Sequence, residues 1–158
     1  FGGSESAALS VLMFNPDTKI WSTQSAAPLG IQTTLAWFTY QNKAYVLGAD
    51  NKIWEYEPNS DSWRVFTTFP GSSDGGLGMA QVIGDRVFIG FFRRSNELME
   101  LDMNTLVWKS KNPIPGIPQS LNAGYFSIND NLYFLRCPER TVPGTVPMEL
   151  YRFDPDGI

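Results

Sequence analysis

The 158-residue chain contains no histidine. Without imidazole its own residues cannot assemble the usual serine or cysteine triad, a His-containing zinc site or a His-ligated copper or iron centre. A single cysteine, Cys137, cannot close an intramolecular disulfide, so cysteine usage leaves the redox compartment open and the thiol reads as a small hydrophobe. No run of about 18 apolar residues is present to span a bilayer as a helix. The opening FGGSESAALS has no basic stretch ahead of an apolar one, as a signal peptide would need. Charge is sparse: 18% of residues carry it, and 12 Lys and Arg against 16 Asp and Glu leave a net charge of −4. That balance gives no footprint for a phosphate backbone and argues against nucleic acid as a partner.

What the chain has in place of charge is aromatic residues, at 14%, and apolar residues, at 42%. They recur in a pattern. FNPDTKIW spans Phe14 to Trp21, YEPNSDSW spans Tyr56 to Trp63, and LDMNTLVW spans Leu101 to Trp108; FDPDGI, from Phe153, starts a fourth copy. Each phrase follows a short apolar run with one mostly charged position (Met13, Glu55, Glu100, Arg152), as a strand with one wetter position would read. Between that run and the tryptophan lie Pro, Asn and Asp, which close tight turns. Midway between phrases, LAWFTY-QN-KAYVLG, GMAQVI-GD-RVFIGF and AGYFSI-ND-NLYFLR read as hairpins around two-residue connections.

Each period of about 45 residues therefore holds four short antiparallel strands, A to D, with D opening on the tryptophan. The expected class is all-β, a propeller portion of four-stranded blades with no helix. Residues 1–24 are expected to hold strands C and D of a partial blade. Complete blades are expected at 33–67 and 77–111, and strands A to C of another at 121–158, all in one propeller domain. Trp21, Trp63 and Trp108 are expected to be buried spacers between blades. Trp37, Trp54 and Tyr125 sit in alternating strands, so packing is favoured for them over stacking on sugar rings.

These residues resemble kelch repeats, whose motif sets a glycine doublet after strand B, then an aromatic residue, then a tryptophan at the start of strand D. Gly2 and Gly3 look like such a doublet; the later equivalents are Gly48 and Ala49, Phe91 and Phe92, and Arg136 and Cys137. Phe14, Tyr56 and Leu101 fill the position seven residues before the tryptophan, and Phe153 is the equivalent residue of the fourth copy. KIWEYEPNSDSW, FTTFPG and VIGDRVFIG are similar to kelch proteins of bacterial envelopes, especially secreted and surface lipoproteins of the Bacteroidetes. The resemblance implies about three blades of a six- to eight-bladed ring, the remaining blades coming from the same or another chain. It also implies that D–A and B–C loops share one face.

The loops expected on that face are long and variable, and they supply the candidate binding residues Asp74, Arg93, Arg94, Asn96, Gln119, Asn122, Arg136, Glu139 and Arg140. The arginines suit a carboxylate or an acidic patch. Solvated loop charges and local salt bridges are the plainer reading. SSDGG lacks the helix and lysine of a phosphate loop, and DGGLG lacks a surrounding βαβ unit. No pair of acids is placed for glycoside hydrolysis. The expected function is a non-catalytic binding or scaffold propeller, exported and on a bacterial surface, recognising a protein or glycan and needing no cofactor or metal. Two alternatives stand beside it. One is a kelch-like enzyme, resembling sialic-acid mutarotases or galactose-oxidase-like copper enzymes, with its site partly outside this span. The other is an intracellular, cytoplasmic protein-interaction adaptor.

Overall fold

A computed structural model describes residues 10–31, 33–73, 76–93, 95–115, 120–138 and 148–156. Among them are thirteen strands, all paired antiparallel in two-, three- and four-stranded sheets. The all-β, bladed class is as expected. One short 3-10 turn, Leu29–Ile31, departs from the expectation of no helix, and it buries Ile31.

The repeated phrase has a geometric cause. Strand β1 (Leu12–Asn15) pairs with β2 (Ile20–Thr23), β5 (Lys52–Glu57) with β6 (Ser62–Thr68), and β9 (Leu98–Asp102) with β10 (Trp108–Ser110). In every case the apolar residue and its tryptophan face each other across the ladder: Phe14 opposite Trp21, Tyr56 opposite Trp63, Leu101 opposite Trp108. The seven-residue spacing is thus a cross-strand pair, the unit by which one sheet face stabilises itself. The rings of Phe14 and Trp21 lie 5.0 Å apart, and those of Tyr56 and Trp63 4.9 Å. Two residues before each tryptophan the backbone turns left-handed, at Lys19 (φ 57°), Asp61 (φ 47°) and Leu106 (φ 58°). Asn15 and Asp102 start their turns by accepting two backbone N–H bonds each, at 2.9 and 3.1 Å and at 2.9 and 2.9 Å.

The midway hairpins use the other tight-turn chemistry. Gln41 and Asn42 both have positive φ, as do Asn129 and Asp130, which is the type I′ pattern. At Gly84–Asp85 only the glycine does, with φ 58°, as in type II′. These turns join β3 (Thr34–Tyr40) to β4 (Lys43–Gly48), β11 (Ser120–Ile128) to β12 (Asn131–Pro138), and β7 (Met79–Ile83) to β8 (Arg86–Gly90).

The chain divides into two compact units, Phe1–Phe69 and Pro70–Ile158. The first holds the β1–β2 ribbon and the four-stranded sheet β3-β4-β5-β6. Its core packs Val11, Trp54 and Trp63 against Ala27, Ile31 and Val46. Asp61 fixes the segment that follows β2: its carboxylate accepts the Ser25 N–H (2.9 and 3.0 Å) and the Tyr56 hydroxyl (2.7 Å). That bond and, before it, burial push the Tyr56 phenol up to about 12. The second unit stacks β10-β9-β8-β7 against β11-β12-β13, where β13 is Glu149–Phe153. Met79, Ile83, Phe88, Phe91 and Leu98 meet Leu132 and Phe134, with Tyr125, Tyr151 and Phe153 packed alongside.

The tryptophans are wetter than a buried spacer role requires. Trp63 and Trp108 are half-buried, whereas Trp21 is 63% exposed and Trp37 50% exposed. The reason is position: Trp21, Trp63 and Trp108 lie at or next to the start of an outer strand of their sheets, and Trp37 lies in the outer strand β3. Trp54 and Tyr125 pack as expected, against their unit's core. Tyr56 and Leu101 are buried, Gly48 ends β4 in the core, Phe153 is half-buried and Phe14 is exposed; Gly2 and Gly3 lie outside the described residues.

The expected wetter position of the repeat is exposed at Met13 and Arg152 but dry in the two central copies. Glu55 and Glu100 are 2% and 4% exposed. Neighbouring strands cover them: Arg64 donates two bonds of 2.8 Å to Glu55, Lys43 and the Tyr45 hydroxyl add bonds of 3.1 Å, and Lys111 lies 3.1 Å from Glu100. Burial alone would raise the Glu55 pKa, but the bonds from Arg64, Lys43 and Tyr45 together hold it below the usual 4.5. A carboxyl whose folded pKa is lowered contributes its stability above the unfolded value and loses it as pH falls through the folded one. Urea midpoints of the wild type should therefore fall below about pH 4.5 relative to Glu55→Gln, whose own midpoint is lower at neutral pH. Parallel curves for the two proteins across that range would contradict the assignment. A second test concerns Leu106, a bulky residue held left-handed. Leu106→Asn should raise stability by about 0.5–1 kcal/mol in the same measurement, because Asn tolerates that conformation.

Candidate functional site

The best-defined site in the second unit starts from a strained residue. Strand β8 ends at Gly90, where a Cβ would collide with the Glu97 carbonyl oxygen, so the B–C loop can fold back tightly. The next residue, Phe91, adopts φ 57° and is 1% exposed. A phenylalanine in the left-handed region is a backbone outlier, and such strain persists where the surroundings enforce it. Here its N–H donates to Glu97 O (3.2 Å), and its ring meets Phe134 edge-on at 5.4 Å. The loop is further closed by Ser95 N–H to Phe92 O (3.0 Å) and Ile114 N–H to Asn96 O (2.7 Å). The second of these ties the B–C loop to the D–A segment after β10.

Over the Phe91 ring lies the guanidinium of Arg136, 5.2 Å from the ring centroid. Arg136 sits near the end of β12, opposite Asn122 of β11 and Glu149 of β13, and it is fully buried. Its Nη1 donates to Asn96 Oδ1 and to the Pro115 carbonyl, both at 2.7 Å. Its Nε and Nη2 are buried without any hydrogen-bond partner, and so is Glu149 Oε2. Burial pulls the Arg136 pKa below its ordinary value, opposed by the charges of Tyr151 and Glu149. Tyr151 lies two residues along the same strand face, and its interaction with the Glu149 carboxylate, with burial, raises its phenol. Buried charged donors are almost always satisfied. The guanidinium thus combines one nitrogen locked by two bonds with two buried nitrogens whose donor capacity is unused.

Of the residues read from the sequence as binding candidates, Asn96 and Arg136 come together here. Asn122 lies opposite Arg136 in the ladder, and only its backbone is described. Arg93 is exposed in the same B–C loop and is not among the groups bonded to Arg136. Asp74, Arg94, Gln119, Glu139 and Arg140 lie outside the described residues. Sequence reading missed Phe91, Glu149 and Tyr151. Glu149-Leu-Tyr151 carried the signal: period two places both polar tips on the Arg136 side of the strand. Among the described residues no cluster of three His, Cys, Asp or Glu could hold a metal. An open cavity of about 520 Å³ at the Gln41–Asn42 turn, lined by Tyr40, Lys43 and Pro58, contains none of the candidates.

Comparison with known proteins rests on structure. No protein-family profile matches the chain, and no curated protein sequence is significantly similar to it. Among solved structures, YjhT superposes with a TM-score of 0.65 at 18% identity, over 84% of this chain and 53% of YjhT. The extracellular domain of BT4673 from B. thetaiotaomicron gives 0.53 at 18% identity, over 93% of this chain and 22% of that one. The chain thus spans about half the length of the first and about a fifth of the second. At these identities the likeness defines the fold, an all-β, propeller-like set of blades.

Asn96→Ala tests the lock on Arg136. Loss of a bond to a charged donor should cost about 1.5–3 kcal/mol in urea unfolding, since the guanidinium is left further unsatisfied. A change under about 0.5 kcal/mol would mean that Asn96 does not hold Arg136.

Proposed function

We propose that the chain is a portion of a kelch-type propeller acting as a non-catalytic binding module, exported and displayed on a bacterial surface. It recognises a protein or glycan through the face carrying its D–A and B–C loops. The observation that carries the reading is the buried Arg136, whose Nη1 ties the two loops together while Nε and Nη2 stay unfilled. Binding residues sit preferentially on loops held by a rigid scaffold, and here the scaffold presents a fixed charge. Export is supported by the extracellular setting of the BT4673 domain. Among the described residues no helix is long and apolar enough to cross a membrane.

A second reading is favoured by one observation: Glu149 and Tyr151 place an acid and a phenol beside the guanidinium. That is enough for proton transfer in a kelch-like enzyme acting on an anionic substrate. The deciding experiment screens the full-length protein against a glycan array and against surface proteins of the same cell, with Arg136→Lys in parallel. A ligand retained by the wild type, lost by Arg136→Lys and recovered chemically unchanged supports the binding module. Turnover of that ligand, lost in Tyr151→Phe, would replace it with the enzyme reading.

A further inference from the structure

The unfilled part of Arg136 has a shape. Of the five N–H bonds of a guanidinium, the two on Nη1 are directed at Asn96 Oδ1 and the Pro115 carbonyl. Nε–H and the nearer N–H of Nη2 lie along one edge, parallel and coplanar, which is the fork that a planar two-oxygen anion fits. Both nitrogens are buried and unpartnered, so an anion arriving there meets donors already stripped of solvent. A flat face of the guanidinium lies over the Phe91 ring, so the unpartnered donors are those of its edge.

Glu149 restricts what can arrive. Its Cα stands directly opposite that of Arg136, its Oε2 is buried without a partner, and its charge acts on the guanidinium. The two nevertheless form no hydrogen bond through that oxygen. Tyr151, whose ring is packed against the core, engages Glu149. A resident negative charge beside the fork repels a dianion more strongly than a monoanion.

We propose, building on the binding-module reading, that the Nε–Nη2 edge of Arg136 receives one carboxylate group of the ligand, with Glu149 selecting against polyanions and Tyr151 bracing Glu149 away from the fork. The step is recognition only, with no bond made or broken.

The test uses full-length protein with ¹⁵N-labelled arginine, following the Arg136 Nε–H resonance during titration with acetate and, separately, inorganic phosphate at constant ionic strength. Acetate should move that resonance downfield and saturate at millimolar concentration, with phosphate at least about tenfold weaker. Glu149→Gln should tighten acetate several-fold and narrow the difference from phosphate; Tyr151→Phe should weaken acetate by freeing Glu149 to compete. Arg136→Lys keeps the charge without the fork, and acetate binding to it, followed by calorimetry beside the wild type, should be lost. Glucuronate and an acidic dipeptide, run alongside, separate a glycan carboxylate from a protein one. No saturable shift, phosphate binding as tightly as acetate, or Glu149→Gln leaving acetate affinity unchanged would each overturn the proposal. Because the readout is a resonance of the folded wild type, it is independent of any misfolding by the variants. A null result here beside an Arg136-dependent partner in the array screen would sink the carboxylate fork and leave the binding module standing.

Discussion

Phe91 is the contact on which the loop face of the second unit depends. Its left-handed backbone lets β8 end and the chain double back within seven residues, and its ring then does two things at once. One edge packs on Phe134 of the neighbouring sheet, and one face lies under the Arg136 guanidinium. Sheet-to-sheet packing and the position of the charge are therefore one constraint. A glycine at this point would relax the backbone, yet it would remove the surface on which Arg136 rests. The strain and the charge belong together, as expected where local distortion is retained for a purpose.

The blade geometry was largely legible before any coordinates. The apolar residue seven positions before tryptophan, the Asn and Asp turns and the two-residue connections all report local rules, and local rules survive in single sequences. What they could not report was solvent. Glu55 and Glu100 read as wet because they are charged, and they are buried because Arg64, Lys43 and Lys111 reach over them from adjacent strands. Trp21 and Trp37 read as buried because they are large, and they are exposed because nothing among the described residues covers their outer faces.

The candidate site was half legible for a related reason. Loop membership pointed to Asn96 and Arg136, and the fold joins them across 40 positions of sequence. Phe91 was read as an eroded glycine of the doublet, which hid its role, although the glycine-like φ survives there. Glu149 and Tyr151 fell within a strand read only for its apolar residues. A polar residue alternating with an aromatic one in a strand marks a shared face, and that signal competes with hydrophobic periodicity and loses.

The same fold handles buried charge in two opposite ways, and the contrast is the argument for function. Glu55 is buried in mid-sheet, where Arg64 supplies a bidentate pair, Lys43 a third donor and Tyr45 a fourth, all within the blade. Nothing is left for a ligand to satisfy, and burial raises the Tyr45 phenol as part of the same closed network. Arg136 is as buried, but it sits where strand gives way to loop, and only one of its three nitrogens is answered. An unanswered charge in the middle of a sheet would simply destabilise it, since an isolated buried ion costs several kcal/mol after relaxation. At the loop end it can be completed from outside the chain. In the proposed function the group that completes Arg136 belongs to the ligand, whereas the groups that complete Glu55 belong to the blade itself.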